Sequence, residues 1–323
     1  MIFKKSIFFI TFCIPMVIGC NNADMIDTIP TTAPVSVATI TPTSVPTTTP
    51  ILASTPIANT TSTPLTKSPT EQVDVSAKLQ NLIIKNLGPY DSAYSTFGDI
   101  KYDERFNNAI FHEFGKVYHN RQGIKTYNPT FEFRVPANTI VISPISGIIS
   151  YFEWQPSQDD WEIHIKPTRD SEWIFGIDHV VSINCERSAN PVTVCNSPLK
   201  INGKIVIEGM SISTGDVIGY VGNWSDYDNI GINGRTELTV FKYLGAYGSD
   251  GVMNYCPTLY LSKEVKNTLV STISELMDSY EKWSTKISTY EQEKMVTPGC
   301  LYKAIKEVNG KMEPITSSTD LTD

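Results

Sequence analysis

The sequence predicts a mainly β protein, an antiparallel β-sandwich or barrel with a helical C-terminal extension. Two observations carry this. Between Phe131 and Phe241, short segments alternate apolar and polar residues and are separated by turn clusters, as expected of strands with one buried face. After Ser262 the period changes, and Val265, Leu269, Ile273, Leu276 and Tyr280 recur at three-to-four spacing, the stripe of an amphipathic helix.

The elements follow in order. Val73–Leu87 has helical spacing (Val75, Leu79, Leu82, Ile83) and ends at Gly88-Pro89, so a helix is expected in a helical or irregular lead-in over 73–126. Strands are expected at Phe131–Val135, Thr139–Ser143, Gly147–Glu153, Trp161–Ile165, Trp173–Ile183 (broken at Gly176), Lys204–Ile207, Val217–Val221 and Glu237–Phe241. Turn signals at Pro136-Ala137-Asn138, Gln158-Asp159-Asp160 and Ser213-Thr214-Gly215-Asp216 punctuate them. The β domain is placed at 127–245 and the helical extension, capped by Ser262, at 246–312, with a flexible tail at 313–323.

Ahead of these lies a different kind of chain. Lys4 and Lys5 precede an apolar run to Ile18, too short for the roughly 20 residues that span a bilayer. The run closes on Val17-Ile18-Gly19-Cys20 and polar residues follow at once. This resembles a bacterial lipobox, which implies a signal peptide over 1–19 and lipidation of Cys20. Residues 20–72 form a tether, and Thr28–Thr70 contains little but Thr, Pro, Ser, Ala and Val. Such a segment cannot bury enough apolar surface to fold. The expected location is therefore exported and membrane-anchored at the bacterial cell surface or envelope.

Cys13 leaves with the signal peptide, and four cysteines remain after Cys20: Cys185, Cys195, Cys256 and Cys300. In an oxidising compartment they imply two disulfides with three possible connectivities, and sequence proximity favours Cys185–Cys195 and Cys256–Cys300. The second pair limits the helix. A 30-residue helix is about 45 Å long whereas bridged Cα atoms lie about 5.5–6 Å apart, so the chain must turn back, between Trp283 and Tyr290. The net charge of −8 argues against a nucleic-acid partner.

Four stretches resemble the lysostaphin/LytM-type metallopeptidases, peptidoglycan endopeptidases built on a duplicated hybrid β motif. They are Val135–Ile149, Ile177-Asp178-His179-Val180, Gly209–Gly222 and Gly234–Val240, in the family's order. The family's His-x-x-x-Asp positions read Asn128-Pro129-Thr130-Phe131-Glu132, and its His-x-His positions read Glu237-Leu238-Thr239. The resemblance thus gives Asn128, Glu132 and Thr239 as binding positions, with Glu132 the one metal ligand retained, and His179 and Glu237 as catalytic positions. Asn128 and Thr239 offer neutral oxygens, poor partners for Zn²⁺. Without zinc there is no bound water of near-neutral pKa.

The resemblance therefore implies no cofactor and a non-catalytic module that binds peptidoglycan, a glycan or an envelope protein; an active zinc endopeptidase with altered ligands is the alternative. Glu132, His179 and Glu237 are expected to face one another from adjacent strands, the two carboxylates raising each other's pKa unless a cation intervenes. Asp178-His179 also reads as a satisfied inward pair, and His164, between Ile163 and Ile165, as solvent-facing. His112 and His119 have no place assigned by pattern.

Overall fold

The alternation between Phe131 and Phe241 folds into one large antiparallel sheet. The computed structural model describes residues 78–104, 109–119, 123–184, 196–223, 233–285 and 289–315. The signal and tether segments, Cys20, Cys185 and Cys195 lie outside the described residues. Twelve strands form the sheet. They are β1 (Phe111–His112), β2 (Phe131–Pro136), β3 (Ile140–Ile142), β4 (Gly147–Gln155), β5 (Asp160–Lys166), β6 (Ile174–Val181), β7 (Ser211–Ile212), β8 (Val217–Asn223), β9 (Asn233–Leu244), β10 (Gly251–Tyr255), β11 (Ala304–Val308) and β12 (Lys311–Ile315). Their order is β7-β4-β5-β6-β8-β9-β10-β11-β12. β2 pairs with β9 and β1, β3 pairs with β8, and β6 also pairs with β9.

The period of two divides this sheet into faces. Ile163, Ile165, Ile177, Leu238 and Val240 are fully buried on the core face. Glu162, His164, Gly176, Asp178, Glu237 and Thr239 lie on the other, around a common cavity. Gly176 does not break β6. It sits in mid-strand opposite His164 and Thr239, where the missing side chain leaves room above the sheet.

The helix α1 (Lys266–Ser284) buries Ile273, Leu276, Met277 and Tyr280, as the stripe requires. It has no side-chain cap. The Ser262 carbonyl accepts from the Lys266 N–H at 2.9 Å, and the Ser262 hydroxyl donates to Gln80 at 3.0 Å instead of capping. The chain turns back after Ser284 through a left-handed Thr285, and Cys256 bonds Cys300 with Cα atoms 5.9 Å apart. Among the described residues no helix is long and apolar enough to cross a membrane.

Three expectations are corrected. Residues 78–87 form no helix. Leu79, Leu82, Ile83 and Ile84 are buried, but the Leu79 and Lys85 N–H groups donate to the carbonyls of Tyr260 and Ile140, remote in sequence. Burial and non-local backbone bonding together outweigh helical spacing. The extension is not helical alone, because β10, β11 and β12 continue the sheet. Residues 313–315 are strand rather than tail, since pairing with β11 satisfies their backbone groups.

Candidate functional site: a charged sheet face and its cavity

Glu132 and Arg134 lie on β2, and Arg235 and Glu237 on β9. The register places Glu132 opposite Glu237 and Arg134 opposite Arg235. Because residues two apart on a strand share a face, all four side chains stand together. Arg134 Nε donates to Glu132 Oε1 at 2.7 Å, both groups nearly buried. His112 on β1 stands opposite Glu132, with Nδ1 3.5 Å from Glu132 Oε2, and shares a short hydrogen bond with the Tyr118 hydroxyl. Burial opposes ionisation of Glu132, but His112 and Arg134 outweigh it and pull its carboxyl down to about 2. Burial lowers the His112 imidazole to about 4 despite Glu132, so it is neutral at pH 7.

His179 reaches this face through a bulge. Trp161 pairs with Val180 and Ile163 with Ile177, so Asp178 and His179 together oppose Glu162 alone. A bulge of this kind re-aims a side chain, and His179 takes a left-handed φ of 57°. Gly222 packs against its carbonyl so tightly that a Cβ there would lie 2.6 Å away. His179 Nδ1 shares a 2.8 Å hydrogen bond with the fully buried Asp160. Its Nε2 lies 3.5 Å from Asp178 and 3.6 Å from Glu237. The guanidinium of Arg235 meets the same Nε2 and lies 3.5 Å from Glu237 Oε1. Burial disfavours the imidazolium, but Asp160, Glu237 and Asp178 raise the His179 pKa to about 9, with Arg235 opposing. Asp178 is pushed up to about 6 by burial, with Glu237 and Glu162 adding to the effect and His179 opposing it.

A cavity of about 250 Å³ opens beside this network. Thr130, Glu162, His164, Gly176, Asp178, Glu237, Thr239 and Asn254 contribute polar or open lining, and Phe241, Tyr243 and Val252 an apolar wall. His164 is not solvent-facing as its alternation suggested. It is 9% exposed, lines the cavity, shares a 2.7 Å hydrogen bond with Glu162 and packs on Phe241. His164 points away from the core, but the Tyr151 and Phe241 rings of neighbouring strands pack over it.

The structure therefore brings Glu132, Glu237, His179 and Thr239 to one face and leaves Asn128 out. The Asn128 amide donates to the carbonyls of His112, Glu113 and Thr130 at 3.0–3.3 Å, and its Oδ1 accepts from the Thr130 hydroxyl. It is a structural brace. Arg134, Arg235, Asp160, Glu162, His164 and His112 were absent from the sequence-derived set. The two arginines were accessible to pattern, each two residues from a singled-out glutamate on the same strand. His112 and Asp160 depend on distant pairings. His119 is exposed on a separate hairpin, Val117–His119 with Lys125–Tyr127.

These groups do not fit a resident zinc ion. Asn128 is committed to backbone carbonyls and Glu132 to Arg134. Asp160, Asp178 and His179 present ligand atoms within 4.8 Å of one another, and Asp160 Oδ1 is buried without a partner among the described residues. Even so, His179 Nδ1 is engaged by Asp160, and a guanidinium already faces Nε2.

No protein-family profile matches the chain, and no curated protein matches it. Solved structures do. Lysostaphin from Staphylococcus simulans is similar at 15% identity and a TM-score of 0.32, over 50% of this chain and 52% of lysostaphin. The catalytic domain of the prophage-encoded M23 protein EnpA from Enterococcus faecalis is similar at 14% and 0.26, over 42% of this chain and 85% of that one. The SpoIIQ–SpoIIIAH pore-forming complex gives 11% and 0.30, over 60% and 97%. The chain thus spans about half the length of lysostaphin.

Proposed function

We propose that this chain is a cell-envelope lipoprotein whose β domain binds cell-wall material without hydrolysing it. One observation carries the reading: arginine guanidinium groups stand on the side chains that the resemblance gives to metal chemistry. Arg134 pairs with Glu132 at 2.7 Å, and Arg235 faces both His179 and Glu237. A fixed organic cation at those positions balances the carboxylates, yet it supplies neither a Lewis acid nor an activated water. What remains is a concave, polar and aromatic cavity on a rigid sheet, the setting of a binding site.

Purified protein should co-sediment with purified cell-wall sacculi, carry well under one zinc per chain and release no muropeptides. Stoichiometric zinc with chelator-sensitive muropeptide release would establish the zinc endopeptidase instead, and the orphan Asp160 Oδ1 is the observation that favours that second reading. The anchor is tested separately. Cys20→Ala should leave the protein unprocessed or free of the membrane fraction, and unchanged processing and fractionation would refute lipidation at Cys20.

A further inference from the structure

The cavity on the sheet face has a charge character that names its ligand more narrowly than cell-wall material. Three carboxylates line it, from Glu162, Asp178 and Glu237. No lysine or arginine is among its described lining residues. Arg235 stands at one end against Glu237 and His179, and His164 is bonded to Glu162. These groups leave the carboxylates in excess, because the buried Asp160 also draws on His179.

The second observation is an unanswered hydrogen-bonding group. Asn254 is 4% exposed and lines the cavity from β10, yet its side-chain amide makes no hydrogen bond to any described residue. The amide opens onto the cavity, where a ligand can bond to its oxygen or its N–H groups. Thr239 lines the cavity beside Gly176 and adds a hydroxyl. Beside them the lining is aromatic, since Phe241 pairs with Asn254 across the strands and the Phe241 and Tyr243 rings lie 5.5 Å apart and nearly perpendicular. Ring faces attract cations at about 6 Å or less. Carboxylates, an amide oxygen and aromatic faces, arranged around a space of about 250 Å³, suit a compact cation on an alkyl stem.

We infer that this cavity binds a primary alkylammonium group, the free side-chain amine of a diamino acid in a peptide. The inference rests on the cell-wall reading only for the source of that peptide. Burial, with Glu237 and Glu162 adding to it, lifts Asp178 to about 6, and a cation in the cavity favours its ionised form.

The test titrates the purified protein with Nα-acetyl-lysine amide and with its Nε-acetylated form by calorimetry. The free amine should bind and the acetylated one bind at least tenfold more weakly. Asp178→Asn and Thr239→Lys should each weaken binding at least tenfold, the second by placing a tethered ammonium in the cavity. Circular dichroism confirms that each variant is folded, and the acetylated ligand gives the comparison without altering the protein. Equal binding of the two ligands, or binding of neither, overturns the inference. Binding of a neutral acetamido-sugar oligomer in place of the amine also overturns it and assigns the cavity to glycan.

Sacculi separate this idea from the proposed function. If native and amine-acetylated sacculi retain the protein equally, the amine site is wrong and the cell-wall reading stands. If sacculi do not retain it but Nα-acetyl-lysine amide binds in an Asp178-dependent way, the amine site stands and the cell-wall reading falls.

Discussion

Glu132 and Glu237 stand directly opposite each other on β2 and β9, and each carboxylate faces its own arginine, Arg134 at 2.7 Å and Arg235 at 3.5 Å. Two carboxylates so placed raise each other's pKa when nothing lies between them. Here the Glu132 carboxyl is instead pulled down to about 2, because His112 and Arg134 together outweigh its burial. Arg134→Met leaves a buried carboxylate without its guanidinium and should cost about 3–5 kcal/mol. Adding Glu132→Gln to Arg134→Met should recover most of that, because no buried charge then remains unpaired. Urea denaturation measures both. A loss under about 1 kcal/mol for Arg134→Met would show that the pair does not support the fold.

Acid should destabilise the protein in two overlapping windows. His112 has a folded pKa of about 4, below its ordinary 6.5. Its contribution is present above pH 6.5 and is lost as pH falls toward 4. Glu132 has a folded pKa of about 2, below its ordinary 4.5, so its contribution is lost between those values. In the Asp178→Asn background, which removes the opposing contribution of a carboxyl raised from 3.8 to about 6, the melting temperature should therefore begin to fall below pH 6.5 and continue falling to pH 2. His112→Gln keeps an acceptor for Tyr118 and cannot titrate, so it should flatten the upper limb alone. An unchanged upper limb in that variant would exclude His112 as its source.

Asn128 acts through its amide rather than as a ligand. Asn128→Ala removes the donor from three buried carbonyls and should destabilise by about 2 kcal/mol. Sacculus binding by the folded variant should stay at the wild-type level, since Asn128 does not line the cavity. Lost binding with unchanged stability is the outcome that contradicts this assignment.

The Cys256–Cys300 disulfide closes a loop with a sequence separation of 44, and both cysteines are fully buried. Reductant should leave the native protein intact at low denaturant. Once reduced, the protein should be about 2–4 kcal/mol less stable. Denaturant midpoints with and without reductant measure this, and coincident curves would refute a stabilising bridge. Mass spectrometry of the same sample reports whether Cys185 and Cys195 are also bonded.

Strands, turns and the α1 stripe were legible because period two and period 3.6 are local properties of the chain. Cys256–Cys300 was legible from sequence proximity, and the bridge in turn limits where the helix between the two cysteines can stop. The resemblance put Glu132, His179 and Glu237 on one face, and the observed strand register, with the bulge at His179, brings them there. Val73–Leu87 carried helical spacing, yet residues 78–87 form no helix, because the backbone partners of Leu79 and Lys85, at Tyr260 and Ile140, lie far away in sequence. The same limit governs the site. Nothing near Glu132 in sequence announces His112, nothing near His179 announces Asp160, and the bulge that turns His179 toward Arg235 exists only where β5, β6 and β9 meet. Sequence alone determined the faces of the strands. The tertiary structure decided which charges share a face, because each ion pair depends on the pairing of strands that the chain brings together from a distance.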